Sequence, residues 1–215
     1  MMSVYDLNVT DALLTTTRSV RKRLDLTKPV SRDVIMRCIE LSTQAPTGSN
    51  QQNWRWMVVT DAQKRRALAD LYYKGAIEYL GSSAADGASS DDAPTSRVFD
   101  SARYLLDVLK DVPVHVIPCI EVEAMPTTNS VSYWASVMGS IMPAVWSFNL
   151  ALRARGLGTV LTTLHLGYTK EVSDLLGIPD NVMQVGLLPV AYTIGTEFKL
   201  AKRLPLDSIV HFDSW

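Results

Sequence analysis

Apolar side chains recur along this chain with two periods, and each period marks a different kind of element. Three- and four-residue spacing over residues 7–17 predicts a first helix. Ser31 then stands as N-cap to a second, whose Val34, Ile35, Cys38, Ile39 and Ser42 share one face. The run "WRWMVV" at residues 54–59 has the aromatic and β-branched content of a buried strand. Asp61 starts a long helix through "AQKRRALADLYYKGAIEYL", and residues 97–110 form an amphipathic helix leading into the strand "VPVHVIPCIEV". "VSYWASVMGSIMPAVWSFNLALRARG" predicts a fully buried helix, and "GTVLTTLHL" a β-rich segment. A short helix "TKEVSDLLG" ends at Gly177 and Pro179, before the strand candidate "VMQVGLLPVAYTIG". The tail "AKRLPLDSIVHF" is extended, with Pro205 excluding a central-strand position. Helices outnumber strands and do not alternate with them regularly, which points to an α+β fold.

The length of 215 residues suits a single domain over 1–215. Residues 81–96, "GSSAADGASSDDAPTS", hold no aromatic or large aliphatic side chain, so they read as a mobile excursion or lid. A hydrophobic share of 47%, a charged share of 20% and a net charge of −1 describe a globular soluble protein without a field for nucleic acid or anionic membrane. Residues 124–152 carry no charge and are long enough to span a bilayer. Their Pro, Asn and Ser content argues instead for a core helix. Its small residues Ser132, Ala135, Ser136, Gly139, Ser140 and Pro143 would admit a second helix closely, from this chain or another subunit. Cys38 and Cys119 lie in apolar segments and read as reduced thiols. With no basic, apolar leader at the N-terminus, a cytoplasmic protein is expected.

Much familiar chemistry is missing. His115, His165 and His211 are far apart and lack metal-ligand spacing, so no metal site is expected. "RGLGTV" follows a helix and precedes a strand, the reverse of a dinucleotide-binding turn. Two polar stretches remain. "APTGSNQQNW" crowds amides and hydroxyls at the mouth of an apolar strand, either as a plain αβ connection or as an edge for a ligand that needs many uncharged hydrogen bonds. In "TTTRSVRKRL", Arg18, Arg21, Lys22 and Arg23 either complement a helix C-terminus or, with Ser19, offer guanidinium forks and a hydroxyl to a phosphate monoester. Lys202 and Arg203 form a second basic pair near the other end.

Taken together, these stretches resemble the FMN-dependent nitroreductase family over nearly the whole chain. Its R-R-S-x-R segment is matched by Arg18, Ser19 and Arg21, with Thr17 at the first arginine. Its A-P-S-x-x-N-x-Q-P-W signature is matched by Ala45, Pro46, Asn50, Gln52 and Trp54; Thr47 replaces the serine and Asn53 the proline. Its G-L-G segment followed by threonines is matched by Gly156, Leu157, Gly158, Thr162 and Thr163, and its basic tail before L-P by Lys202 and Arg203.

The resemblance implies an α+β sandwich with a mixed central sheet flanked by helices, in an intertwined homodimer. It implies FMN as cofactor, with Arg18, Ser19, Arg21, Lys202 and Arg203 at its phosphate or ribityl end. Pro46, Thr47, Ser49, Asn50 and Gln52 would border the ring, and Thr162, Thr163 and Leu164 would face it near N5, with contacts across the dimer. NADPH or NADH would bind transiently as reductant in a ping-pong cycle. The acceptor would be a small nitroaromatic, quinone or pteridine-like molecule. Reductive dehalogenation, flavin fragmentation and non-catalytic FMN storage or sensing are the alternatives.

Overall fold

The computed structural model describes residues 4–87, 93–123 and 130–215, the side chains of 78–87 and 93–96 aside. Helix α1 (Leu7–Thr16) is capped by the Asp6 carboxylate, which accepts the Asn8 and Val9 N–H groups, yet it buries none of its own residues. Helix α2 (Arg32–Ser42) begins as expected: Ser31 Oγ accepts the Val34 N–H at 3.4 Å. Strand β1 (Trp54–Val59) has the bounds the sequence predicts. Helix α3 (Ala62–Gly87) starts where the Asp61 carboxylate accepts the Lys64 N–H, at 2.8 Å. Helix α4 (Ala93–Val108) leads into β2 (Val114–Glu121). There follow α5 (Val131–Arg153), β3 (Leu157–Gly158), α6 (Thr169–Leu176), β4 (Val182–Gln184) and β5 (Leu188–Tyr192). Gly177 closes α6 at φ 71°, a left-handed angle that a side chain resists.

Strand β2 is the spine of the sheet. It pairs with β1 on one side, and with β4 and β5 on the other; β3 joins beyond β5. Its side chains alternate between two cores. Ile117 and Cys119 join Leu68, Tyr72 and Leu105 from α3 and α4, and Val172 from α6. Val114, Val116 and Ile120 join Ile35 and Cys38 from α2, and Ile141, Val145 and Phe148 from α5. The α+β sandwich is therefore present, with helices on both faces. Pro118 explains a break in it. Its carbonyl accepts the Val185 N–H at 3.0 Å, so its nitrogen faces the same neighbour with no hydrogen to donate, between the β4 and β5 pairings.

Every pairing among the named strands is antiparallel. Three expectations change. Of the β-rich segment at 158–166 only Gly158 lies in a named strand, at the end of β3, because the Val20 N–H takes the Thr159 carbonyl at 2.9 Å and the chain turns away. Only Thr162, bridged to Leu187, pairs further along, and Leu164–Tyr168 forms a 3-10 turn. Helix α5 is not fully buried. One face carries Ile141, Val145 and Phe148 inward, while Ser132, Ala135, Ser136, Gly139 and Trp146 are exposed on the other. Finally, residues 81–87 continue α3 and residues 93–96 begin α4; of the expected excursion, residues 88–92 lie outside the described residues. The tail is extended apart from a 3-10 turn at Leu206–Ser208.

Candidate functional site

Two distant parts of the chain converge on one groove. Thr17, Arg18, Ser19 and Arg21 line it from the segment after α1, and Lys202 and Arg203 from the tail. Helix α4 adds Arg97 and Ser101, and α5 adds Trp146. Among the described residues, the lining holds five cationic side chains and no carboxylate. Asp100, next to it in sequence, is paired with Lys22. Such a lining has the charge that an anion would need.

The arginines are held by carbonyls. Arg18 donates to the Lys199 carbonyl at 2.6 Å, while Arg23 donates to the carbonyls of Ile194 and Glu197 at 2.8 and 2.7 Å. Arg153 donates to the Thr196 carbonyl at 2.7 Å, and the Phe198 ring lies 4.1 Å from the Arg23 guanidinium and 4.6 Å from that of Arg153. These contacts fasten residues 194–199 beside α1 and so carry Lys202 and Arg203 to the groove. Arg21 is partly buried and donates to Ser101 Oγ at 3.3 Å; burial lowers its pKa, opposed by the nearby Tyr72 phenol. Glycine makes the approach possible: a Cβ at Gly158 would come within 2.9 Å of the Val20 Cβ and 2.7 Å of Thr193 Cγ2.

A cavity of about 310 Å³ opens from the same segment, walled by Met142, Val145 and Trp146 of α5. Two polar atoms in its lining residues, Asn149 Oδ1 and Thr159 Oγ1, are buried without a partner among the described residues. Such groups are costly unless a ligand or water meets them.

The turn at Pro46, Thr47, Ser49, Asn50 and Gln52 lies elsewhere. The Gly48 N–H donates to Ser140 Oγ at 3.0 Å and Trp54 Nε1 to the Ser140 carbonyl at 2.9 Å, which docks the turn on the N-terminal half of α5. Ser49, Asn50 and Gln52 have φ of 51°, 53° and 49°, a left-handed cluster of non-glycine residues. The Thr47 hydroxyl braces it by accepting the Gln52 N–H at 3.1 Å, and Gln52 Nε2 donates to Asn50 Oδ1 at 3.3 Å. Strain of this kind concentrates where a ligand is gripped. Ser140 and the groove's Trp146 stand six residues apart on α5, about 9 Å along its axis. None of the turn residues lines the groove, so one chain does not bring the two sets together.

Thr162, Thr163 and Leu164 lie against α3. Thr162 Oγ1 is 3.0 Å from the Tyr72 hydroxyl, and a Cβ at Gly75 would run into the Leu164 carbonyl oxygen. Sequence reasoning missed Arg97, Tyr72, Trp146 and Phe198. Arg97 opens the amphipathic α4 pattern and so left a trace; nothing in the sequence singles out the others.

Comparison with known proteins adds a common frame. The model described as the nitroreductase family matches residues 14–192. Among solved structures, a BluB-like flavoprotein from Clostridium difficile superposes with a TM-score of 0.70 at 20% identity, covering 97% of this chain and 100% of that one. The FMN-dependent nitroreductase NfnB from Mycobacterium smegmatis, in complex with NADPH, gives 0.69 at 19% identity, with 97% and 100% covered. An iodotyrosine deiodinase bound to FMN and 3-iodo-L-tyrosine gives 0.69 at 20% identity, with 94% and 98% covered.

Proposed function

Since the chain belongs to the nitroreductase family, we propose that it is a homodimeric FMN oxidoreductase that takes hydride from NADH or NADPH and reduces flat aromatic acceptors. Nitroaromatics, quinones and pteridine-like molecules are the acceptor class. One observation carries this reading: two distant chain segments meet in a groove that, among the described residues, is lined by five cations and no carboxylate. That donor set fits the phosphate of FMN. Arg18, Arg21, Lys202 and Arg203 would hold it by charge-assisted hydrogen bonds, and Ser19 would add a hydroxyl.

The rest of the cofactor would need a second copy of the chain. Pro46, Thr47, Ser49, Asn50 and Gln52 of one copy would border the ring whose phosphate the other copy holds; Thr162, Thr163 and Leu164 would form its third edge. The exposed small-residue face of α5, between the turn and the groove, supports such a dimer. Bound FMN supplies a two-electron carrier, so the protein's own task is to orient reductant and acceptor and to exclude wrong ones. With no separate dinucleotide-binding turn in the sequence, the two substrates would share one site in succession.

The test is spectroscopic and kinetic. Purified protein should be yellow or take up added FMN, NADPH or NADH should bleach it, and a nitroaromatic should restore the colour. Initial rates at several acceptor concentrations should give parallel double-reciprocal lines. Protein that takes up no FMN would overturn the reading. Protein that binds FMN but is bleached by neither nicotinamide would be a storage or sensing protein instead.

A further inference from the structure

Tyr72 sits on α3 with 3% of its surface exposed, and its hydroxyl shares a hydrogen bond of 3.0 Å with Thr162 Oγ1. Thr162 is fixed a second time through its backbone: its N–H donates to the Leu187 carbonyl at 3.0 Å, and its carbonyl accepts the Leu187 N–H at 2.8 Å. Three residues beyond Tyr72, Gly75 admits the Leu164 carbonyl so closely that no side chain fits between. Helix α3 therefore grips both ends of the three-residue strip.

The middle of the strip is different. Thr163 is exposed, and the N–H groups of Thr163 and Leu164 donate to no other backbone group among the described residues. Arg21, which donates to Ser101 Oγ in the groove, reaches the same corner; burial raises the pKa of the Tyr72 phenol, and the Thr162 hydrogen bond and the Arg21 cation oppose that rise. Tyr72 thus stands where the anion groove meets the strip, although it lines none of the pockets described above.

Resting on the proposed role of this strip, we infer that Tyr72 is a positioning residue: it holds the Thr162 hydroxyl inside the protein, so that Thr163 and the Leu164 N–H are the groups offered to the FMN ring. Two threonines in sequence have equal claims to that role. The geometry separates them, because the Thr162 hydroxyl is already committed to Tyr72 and that of Thr163 has no hydrogen-bond partner among the described residues.

The test uses the full chain and four variants: Tyr72→Phe, Thr162→Val, Thr163→Val and Tyr72→Phe/Thr162→Val. Two quantities are read, the Kd for FMN by titration of flavin-free protein and the midpoint potential of the bound FMN. Tyr72→Phe removes only an oxygen; it should free the Thr162 hydroxyl, weaken FMN two- to tenfold and move the potential. In the Thr162→Val background, where no hydroxyl is left to free, the same change should have no further effect. Thr163→Val should change the ratio of affinities for reduced and oxidised FMN about tenfold, close to 30 mV for a two-electron couple. A Tyr72→Phe protein that melts lower but keeps the wild-type potential and Kd would overturn the inference, since that is a structural role alone. So would an effect of Tyr72→Phe that adds fully to Thr162→Val. If the wild-type chain takes up no FMN, the proposed function falls and this inference with it; if wild type binds FMN and the four proteins match it, only the inference falls.

Discussion

His115 and His165 are fully buried imidazoles, and burial pushes the pKa of each down to about 4, from an ordinary 6.5. His115 Nε2 donates to the Leu109 carbonyl at 2.8 Å, which fixes its tautomer; neither nitrogen of His165 has a partner among the described residues. The unfolded chain takes up protons below about pH 6.5, while the folded chain stays neutral until about pH 4. Stability is therefore full above that window and falls as pH drops through it, by roughly 3 kcal/mol per histidine. Urea unfolding at pH 7 and pH 4.5 should show the loss, and His165→Gln should remove one proton from its slope. An unchanged slope would mean that His165 is already protonated in the fold. At the groove, replacing Arg18 and Arg21 together with alanine removes two charge-assisted bonds of about 1.5–3 kcal/mol each. FMN should then bind about a hundredfold more weakly, or worse, with helical circular dichroism retained. That Arg18, Ser19 and Arg21 share one groove was legible because they adjoin in the chain. Tyr72 and Phe198 were not, because their roles arise from what the fold brings beside them.

Elements were legible where one pattern had no competitor. The bounds of β1 and the caps of α2 and α3 follow from local chemistry, and the structure repeats them. The segment after Gly158 was misread because β propensity is a preference for a half-buried surface, and here Val20 occupies the edge that a longer strand would use. The split of β4 from β5 was hidden for a related reason: it originates in Pro118, on a different strand. Contact between α3 and the Thr162–Leu164 strip depends on a missing side chain, which no periodicity reports. Gly75→Ala would push a methyl group into the Leu164 carbonyl oxygen, and one of the two elements would have to move. Overpacking of this kind costs about 1–3 kcal/mol. Thermal melts should show that loss, and FMN affinity should fall with it; a variant with reduced stability and unaltered FMN binding would detach the strip from the cofactor.

On the scale of the molecule, the isolated chain leaves too much apolar surface uncovered. Helix α1 buries no residue, and Leu204, Leu206, Phe212 and Trp215 of the tail are exposed at 70%, 73%, 83% and 101%. Exposed apolar side chains of this size fit the interface that the proposed dimer requires. The uncharged run over residues 124–152 is explained by the same need: within it, α5 serves the core with one face and offers small residues on the other. The proposed dimer would close that second face and bring the turn of one copy to the groove of the other. Gly139 separates the two functions of the helix. A Cβ built there meets no atom within 4 Å, so leucine should be tolerated by the folded monomer. Across a close helix contact it would overpack, at about 1–3 kcal/mol. Gly139→Leu should therefore keep its helical signal, shift to monomer in sedimentation and lose bound FMN in the same preparations. A stable monomer that stays yellow would show that one chain holds the cofactor alone, and a dimer with full FMN content would move the interface to another face.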